Sequence, residues 1–474
     1  MQSGDDGRTG TDTLSARATK RATMSDGAFE AVVEAVREQV VPEEAERERM
    51  ESAASTVVER AERAVSELPV EADVVRVGST ARDTWLAGDR DVDVFVRFPP
   101  SLDREELETY GLEVGHAVLP DGREDYAEHP YVVGQVDGFD VDLVPCYDVP
   151  AATDIRSAVD RTPFHTAYVR RRLDDDLADE MRLFKQLLVG VGVYGSDLRT
   201  EGFSGYLAEL LVLAHGSFRA TVEAVAGWPP PVVIDPEDHA AAEFEDPLVV
   251  VDPTDPERNV AAVCSATNVA RAIHHARALL ADPTVDAFFP EQPEPLSPGA
   301  VREHLDRRGT TPMAVRFEAP DVVEDQLYPQ LRRSLRGVVA ELDRRGFDVL
   351  RAATWADESA VLFAELAVAE RPAVERHEGP PVHVREHAVG FYDTYADGDA
   401  YGPFVDGERY VVERDREFTT ASVLLESDAL FDVALGTHVE RALEDGYDVL
   451  VGADVAALAT EFGVELARYF DPEP

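Results

Sequence analysis

Two short segments of the chain alternate between apolar and polar residues, and each carries a pair of aspartates. Residues 90–98 read RDVDVFVRF, and residues 131–147 read YVVGQVDGFDVDLVPCY. Successive side chains of a strand point to opposite faces, so both aspartates of a pair lie on one face and the apolar residues on the other. The first segment is therefore predicted to be a strand, and the second a hairpin whose second arm ends at Pro145. Taken alone, either pair is best interpreted as part of the polar face of a half-exposed strand.

Acidic residues dominate the rest of the chain as well. Asp and Glu number 94 against 45 Lys and Arg, which gives a formal charge of −49, while 44% of the residues are hydrophobic. So much apolar sequence indicates a folded protein with a charged surface. Only Lys20 and Lys185 are lysines. This composition predicts a halophilic protein, because salt near 1 M reduces the screening length to about 3 Å. In such salt the electrostatic part of nucleic-acid binding is weak, so acidity excludes no nucleic-acid partner.

The cysteines and the apolar segments indicate the compartment. Cys146 and Cys264 are too few for a disulfide framework, which is typical of a reducing cytosol. No segment approaches the roughly eighteen apolar residues of a membrane span, and the start of the chain has no apolar signal core. We expect a cytoplasmic protein with no membrane partner. Residues 1–23 are polar and aperiodic, and we expect a disordered leader, with the true start at Met1 or Met24.

The periodicity along the chain predicts an α+β protein with several domains. Strands and helices before about residue 160 favour a small α/β catalytic domain, which a strand at 72–79 would begin. The segment 288–299 holds four prolines and is predicted to be a linker, followed by mixed helices and strands. Helical spacing is found at 26–40, 43–68, 166–228 (with a buried helix at 203–218) and 265–281.

A glycine-serine pair precedes the first two aspartates. Gly78-Ser79 ends the predicted strand, and Thr80 to Leu86 can start a helix. Glycine lets a backbone approach a phosphate closely, Ser79 offers a hydroxyl and an amide, and Arg82 could reach the same anion. Two magnesium ions need bridging carboxylates and little else from the protein, since phosphates and water complete their shells. Gly-Ser, eleven residues, Asp-Val-Asp and a later Asp-bearing strand form the pattern of the nucleotidyltransferase superfamily typified by DNA polymerase β.

Longer strings narrow this resemblance. The chain resembles the archaeal, class I CCA-adding tRNA nucleotidyltransferases from about residue 25 to its end, most densely up to residue 275. The strings are GSTARDTWLAGDRDVDVF, VDLVPCY, SAVDRTPFHTAYV, RLFKQLLVGVGVYG, GFSGYLAELL, VDPTDPERNVAA and LYPQLRRSLRG. The resemblance implies a polymerase β-like nucleotidyltransferase head at 24–160, a helical central domain at 161–285, and an α/β body and tail at 286–474 that bind tRNA.

The resemblance also implies an activity and a set of residues. The enzyme would add C, C and A to the 3′ end of tRNA from CTP and ATP, using two Mg²⁺ ions, and would be a homodimer. Asp91 and Asp93 match the metal-binding pair, and Asp142 matches the third carboxylate, for which Asp140 competes. The predicted triphosphate contacts are Ser79, Arg82, Lys185 and Tyr194; the nucleotide pocket matches Thr162 and His165; Arg258 matches the arginine that reads the base.

Lys185 has an argument of its own. A solvated lysine would be expected to drift to arginine or to an acid in this chain, so its retention favours a phosphate-binding role. Asp255 and Glu257 are expected to be ordinary surface residues. The alternatives are a related poly(A) polymerase or oligoadenylate synthase, and a non-catalytic RNA-binding protein on the same fold. The number and identity of the added nucleotides separate these possibilities.

Overall fold

A computed structural model describes residues 27–126, 128–239 and 243–474. The predicted leader at 1–23, together with Met24, lies outside the described residues. The chain divides into two compact units, the first ending at Glu291 and the second covering Gln292–Glu473, with Pro474 grouped with the first. The predicted linker at 288–299 spans this division. It ends at 297, because Ser297 caps helix Pro298–Arg308 by accepting a hydrogen bond from the Ala300 amide.

A five-stranded mixed sheet forms the first part of the first unit. The strand order is β1-β2-β5-β4-β3, with β2 and β5 parallel and the other neighbours antiparallel. Val92, Val94 and Val96 are buried on the face opposite the aspartates, as the alternation predicts. The strands are β1 (Asp73–Val77), β2 (Asp91–Phe98), β3 (Arg123–Tyr126), β4 (Pro130–Val136) and β5 (Phe139–Tyr147).

The second arm of the predicted hairpin is longer than expected. β5 does not end at Pro145 but continues to Tyr147. Proline is tolerated there because the pairing of β4 with β5 ends at Leu143, so the missing N–H of Pro145 breaks no bond on that side. On the other side the parallel register with β2 continues through Pro145.

Helices surround this sheet and continue the first unit. α2 and α4 cover the valine-bearing face of the sheet, whereas α1 packs with the later helices in a separate apolar core. A short strand group, β6-β7-β8, lies among those later helices. The elements are α1 (27–40), α2 (Glu44–Ser66), α3 (Gly78–Arg82), α4 (Arg104–Val118), α5 (Thr162–Arg170), α6 (Asp175–Val191), α7 (Gly205–His215), α8 (Phe218–Ala226), α9 (Ala266–Ala281), β6 (Val232–Ile234), β7 (Leu248–Asp252) and β8 (Asp255–Asn259).

Two of these helices differ from the sequence-based expectation. α3 begins at Gly78 rather than within Thr80 to Leu86, and it ends at Arg82 because Asp83 adopts a left-handed conformation with φ 54°. The sequence analysis did not anticipate α4, although Asp103 and Glu106 form a capping box at its start.

The second unit contains two antiparallel sheets with helices. One sheet has the order β10-β11-β9-β15 and the other β12-β14-β13. Within the described residues, no helix is long and apolar enough to cross a bilayer. The elements are α10 (Pro298–Arg308), β9 (Thr311–Glu318), α11 (Glu324–Arg344), β10 (Val349–Ala356), β11 (Ser359–Leu366), β12 (Val374–Pro381), α12 (Arg385–Tyr395), β13 (Tyr401–Asp406), β14 (Arg409–Asp415), α13 (Ala421–Leu425), α14 (Thr437–Asp445), β15 (Tyr447–Val451) and α15 (Gly463–Phe470).

Candidate active site

Carboxylates from β2 and β5 lie side by side at one end of the five-stranded sheet. The two strands run parallel in a register that places Asp91 beside Asp140 and Asp93 beside Asp142. Because in-register neighbours in a sheet share a face, all four side chains project from the face opposite the buried valines. The parallel pairing of two separate segments therefore concentrates negative charge at one place.

The turn after β1 closes on this cluster. Val77, the last residue of β1, pairs with Asp93. Gly78 has a φ of +75°, and a Cβ added there would lie 1.8 Å from Asp93 Oδ2. Both the left-handed conformation and the close approach require glycine. Ser79, the next residue, is half-buried, and its predicted contact with the triphosphate stays a prediction.

The carboxylates destabilise one another in their ionised forms. Burial, with the nearby charges of Asp142 and Asp91, raises the pKa of Asp93 to about 7. Burial, with Asp91 and Asp125, raises the pKa of Asp142 to about 6. The pKa of Asp91 is also raised, by burial and then by Asp140. The site therefore holds more negative charge than the protein compensates.

This donor set suits a hard divalent cation that the substrate helps to bind. Among the described residues, no group of three or more His, Cys, Asp and Glu side chains forms a complete metal cage. Mg²⁺ keeps several waters and takes one or two carboxylates from the protein, with substrate phosphates as further ligands. Uncompensated carboxylate oxygens, all on one face, fit that mode of binding.

The two candidates for the third carboxylate differ in their surroundings. Asp140 is exposed and accepts a hydrogen bond from Gln135 Nε2 at 2.7 Å. Asp142 is half-buried, pairs directly with Asp93 across the sheet, and feels the charge of Asp91. Asp142 is thus electrostatically coupled to both Asp91 and Asp93, whereas Asp140 is coupled to Asp91.

A cluster of buried ions lies next to this site, formed by Arg82, Lys185 and Glu209. Lys185 and Glu209 are 1% and 0% exposed, and Lys185 Nζ lies 2.7 Å from Glu209 Oε1. Arg82 Nη2 donates to Glu209 Oε1 at 3.2 Å, and Arg82 Nε lies 2.8 Å from Glu209 Oε2 without forming a hydrogen bond. Burial alone would raise the pKa of Glu209, but Arg82 and Lys185 hold it at about 2. The three residues form an ionised network.

Three of the four predicted triphosphate contacts, Arg82, Lys185 and Tyr194, belong to this buried ion cluster or lie beside it. Lys185 Nζ donates to the Thr84 carbonyl at 3.0 Å, to Thr84 Oγ1 at 3.1 Å and to Glu209, which uses all three of its protons. Tyr194 approaches from the side of Gly205, where an added Cβ would lie 2.8 Å from the Tyr194 hydroxyl and 3.8 Å from Lys185 Nζ. Burial raises the pKa of Tyr194. The predicted role of these residues towards phosphate stays a prediction.

The predicted nucleotide-pocket residues meet at a second buried carboxylate. His165 Nε2 and Arg258 Nη1 lie 2.8 and 2.9 Å from Asp252 Oδ2, and Asp252 is fully buried. Tyr206 stacks on the His165 ring with centroids 4.0 Å apart. Thr162 is the first residue of α5, the helix that carries His165. These side-chain contacts thus join α5, α7 and the β7–β8 segment.

Two of these residues were missed by the sequence analysis. Glu209 and Asp252 lie inside quoted strings, GFSGYLAELL and VDPTDPERNVAA, yet each looked like one more acid in an acidic chain. The signal for Glu209 was an acid within a strongly apolar helix, where an unpaired charge would be costly. The prediction that Asp255 is an ordinary surface residue was wrong. Asp255 is 7% exposed, and it accepts hydrogen bonds from Arg161.

Family models match most of the described chain. A model described as "Nucleotidyltransferase domain" matches residues 58–165, and "tRNA nucleotidyltransferase, second domain" matches 179–289. A third, "CCA-adding enzyme, C-terminal domain", matches 308–452. The first of these ranges contains the carboxylate cluster, and the second contains Lys185, Glu209 and Asp252.

Curated relatives match over nearly the whole chain. The "CCA-adding enzyme" of Haloarcula marismortui is 62% identical over 467 residues, covering 95% of this chain and 100% of that protein. The "CCA-adding enzyme" of Halobacterium salinarum is 63% identical over 454 residues, covering 95% and 100%. That of Methanosarcina barkeri is 42% identical over 443 residues, covering 92% and 97%.

Proposed function

Because the chain belongs to the archaeal CCA-adding enzyme family, and so adds C, C and A to the 3′ ends of tRNA from CTP and ATP, we propose that the transfer takes place at Asp91, Asp93 and Asp142. The observation that supports this placement is the in-register pairing of β2 with β5, which sets Asp142 beside Asp93. The resulting excess of negative charge, visible in the raised pKa of Asp93, favours binding of divalent cations.

Asp91 and Asp93 would hold two Mg²⁺ ions, with Asp142 completing the carboxylate set. When bound, the ions supply charge neutralisation at the phosphates and activation of the attacking 3′ hydroxyl. Asp142 orients that hydroxyl for in-line attack on the α-phosphate, and pyrophosphate leaves. Gly78 keeps the backbone at Ser79 close enough to the carboxylates for Ser79 to contact the triphosphate.

The buried ion cluster provides positive charge for the triphosphate. Arg82 and Lys185 carry two positive charges against the single negative charge of Glu209, so the cluster has an excess of one positive charge in a region shielded from water. Charges act over longer distances in such a region than in solvent. Tyr194, which lies next to Lys185 at Gly205, completes the phosphate-binding side of the site.

The partners and setting follow from the family. The substrates are tRNA, CTP and ATP. We further propose a homodimer that works in the cytoplasm in molar salt, in keeping with the formal charge of −49 and relatives from halophilic archaea. Sedimentation of the purified protein in molar KCl tests the dimer: a mass near twice 52 kDa is expected, and a monomer would contradict it.

The assignment of the third carboxylate is tested by a matched pair of substitutions. Asp142→Asn and Asp140→Asn change neighbouring residues of the same face of β5 in the same way. Single-turnover addition of one C to tRNA lacking its terminal triplet is expected to fall by at least ~10³-fold in Asp142→Asn and to stay near wild type in Asp140→Asn. The reverse result would move the third carboxylate to Asp140.

A further inference from the structure

The chain leaves α3 through three residues whose backbone carbonyl groups have no backbone partner. Asp83, Thr84 and Trp85 follow the last residue of α3 and belong to no helix or strand. Thr84 and Trp85 are buried, with 0% and 2% exposure. Among the described residues, no backbone N–H donates to any of these three carbonyl oxygens. Buried carbonyl groups are almost always paired, so side chains have to supply the donors.

Two cations of α6 supply these donors. Arg182 Nη2 donates to the Asp83 carbonyl at 2.5 Å, and Arg182 Nε donates to the Trp85 carbonyl at 2.9 Å. Lys185, one turn further along α6, donates to the Thr84 carbonyl between them at 3.0 Å. Residues three apart on a helix are neighbours on its surface. Arg182 and Lys185 therefore hold three successive carbonyl groups from one face of α6.

Arg182 also stabilises the backbone conformation that ends α3. Asp83 has a φ of 54°, in the left-handed region that most residues with a side chain avoid. Arg182 Nη2 donates to Asp83 Oδ1 at 2.9 Å as well as to the Asp83 carbonyl. One nitrogen thus bridges the backbone and side-chain oxygens of Asp83. A change in the Asp83 backbone would move its carbonyl and break this bridge.

The burial of Arg182 points to a role in positioning. Its side chain is 1% exposed, and its remaining terminal nitrogen donates to Asp179 on the same helix at 2.6 Å. Taking a cation out of water has a large desolvation cost, and buried ion pairs can often be replaced by apolar side chains without loss of stability. What an apolar side chain cannot do is donate to the carbonyl groups of Asp83 and Trp85.

The held segment is joined directly to the residues that are predicted to contact phosphate. α3 begins at Gly78, where the backbone approaches the Asp93 carboxylate, and it ends at Arg82. Ser79 lies inside this single short helix. The carboxylate cluster thus limits one end of α3, and Arg182 limits the other.

We propose that Arg182 is a positioning residue for the triphosphate, which fixes the end of α3 and with it the distance of Ser79 and Arg82 from the carboxylate cluster. The inference rests on the proposed function, in which Ser79 and Arg82 contact the triphosphate. Arg182 itself makes no contact with the substrate. Its effect passes through the backbone of the segment that it holds.

The test is inhibition by tripolyphosphate in single-turnover addition of one C to tRNA lacking its terminal triplet, in molar KCl. Arg182→Met keeps a similar length without a donor, whereas Arg182→Lys keeps three donors on one nitrogen. Misplacement of binding groups by about 1 Å can cost roughly 100-fold. The inhibition constant of tripolyphosphate and the KM for CTP are expected to rise by about 10- to 100-fold in Arg182→Met, and by less in Arg182→Lys.

Two further readouts separate positioning from a general loss of structure. The preference for CTP over UTP is expected to stay at the wild-type value, because the contacts of Asp252 with His165 and Arg258 do not involve α3. A purely structural role would lower the amount of active enzyme, and so the amplitude of the single turnover, without changing the inhibition constant.

Arg47→Met is the matched control. Arg47 reaches the other carboxylate oxygen of Asp83 from α2, and its Nε donates to the Pro42 carbonyl. Among the described residues, it donates to no carbonyl oxygen of the segment that Arg182 holds. This variant removes a cation from Asp83 but leaves the carbonyl contacts intact. It is expected to keep the wild-type inhibition constant for tripolyphosphate.

A second pair of variants does not depend on the folding of Arg182→Met. Asp83→Asn and Asp83→Val both remove the charge of Asp83, but asparagine adopts the left-handed conformation readily and valine does not. Asp83→Asn is expected to stay near the wild-type inhibition constant, and Asp83→Val is expected to raise it as Arg182→Met does. Because both changes act on the end of α3, the double variant is expected to lose little more than either single one.

Three results would overturn the inference: a folded Arg182→Met protein with the wild-type inhibition constant, an equal rise in Arg47→Met, or a loss of the preference for CTP over UTP as large as the loss of inhibition. Ser79→Ala in an otherwise wild-type protein reports on the proposed function separately. Unchanged tripolyphosphate inhibition in that variant would contradict the proposed phosphate contact of Ser79, whatever the Arg182 variants do.

Discussion

Replacing Asp93 by asparagine is expected to stabilise the metal-free protein while it abolishes catalysis. The reason is the raised pKa of Asp93, about 7 against an ordinary value of 3.8. A carboxyl group whose pKa is raised by folding stabilises the protein fully below its unfolded pKa, and that contribution is lost as the pH rises through the folded pKa. At pH 8 the native protein therefore bears the whole cost of ionising Asp93.

The size of this cost follows from the shift. Each pKa unit corresponds to about 1.36 kcal/mol, so a shift of about three units corresponds to about 4 kcal/mol. We expect a gain of about 2–4 kcal/mol at pH 8, or roughly 5–15 °C in the unfolding temperature of a unit of this size.

The assay is thermal unfolding in molar KCl with EDTA, at pH 8 and pH 5. Asp93→Asn is expected to unfold at a higher temperature than the wild type at pH 8, with a smaller advantage at pH 5, where the wild-type carboxyl is protonated. Addition of Mg²⁺ is expected to stabilise the wild type more than the variant. Asp140→Asn is the control: Asp140 is exposed on the neighbouring strand and raises the pKa values of Asp91 and Asp142, so this variant is expected to raise the unfolding temperature by less than Asp93→Asn does. An Asp93→Asn protein no more stable than the wild type at pH 8 would refute the uncompensated-charge argument.

Four further outcomes are expected. Glu209→Gln leaves two buried cations without their carboxylate and should lower the free energy of unfolding in urea by about 3–5 kcal/mol. Glu365→Gln removes a buried partner of Arg308 in the second unit. It should lower the free energy of unfolding by a similar amount without raising the KM for CTP. Gly78→Ala should abolish nucleotide addition and also lower the free energy of unfolding by at least about 1–2 kcal/mol, since the alanine is strained at a φ of +75° and its Cβ would meet Asp93 Oδ2; full activity would contradict the close approach. The Mg²⁺ concentration for half-maximal activity should rise as the pH falls from 8 to 6, because protons compete for Asp93 and Asp142; a pH-independent value would argue against them as ligands. Lowering KCl from 2 M to 0.1 M should lower the unfolding temperature, because the screening length grows from a few ångströms to about 10 Å; an unchanged temperature would contradict salt adaptation.

Local patterns in the sequence were sufficient to predict the strands and the acidic pair of Asp91 and Asp93. Alternation in residues 90–98 predicts both β2 and the shared face of Asp91 and Asp93, because that information is contained in the spacing itself. The rarity of lysine singled out Lys185. Spacing does not predict which strands are neighbours in a sheet. The sequence periodicity therefore could not show that β5 lies parallel to β2 with Asp142 beside Asp93.

The partners of the buried cations could not be predicted from the sequence, for the same reason. Glu209 meets Lys185 only because α6 and α7 pack together, and it meets Arg82 because that side chain extends from α3 to α7. Asp252 connects His165 and Arg258 through a strand end whose position depends on the whole unit. In a chain with 94 acidic residues, burial is what distinguishes these two carboxylates, and burial is decided by tertiary packing.

The central claim is that nucleotide transfer takes place at the carboxylate cluster. The most direct measurement supplies tRNA lacking its terminal triplet with CTP, ATP or both in molar KCl and Mg²⁺, and compares the wild type with Asp93→Ala. The wild type is expected to add two residues from CTP alone and to stop at C, C and A when both are present, and the variant, though folded, is expected to add none. Substantial addition by Asp93→Ala would contradict the account.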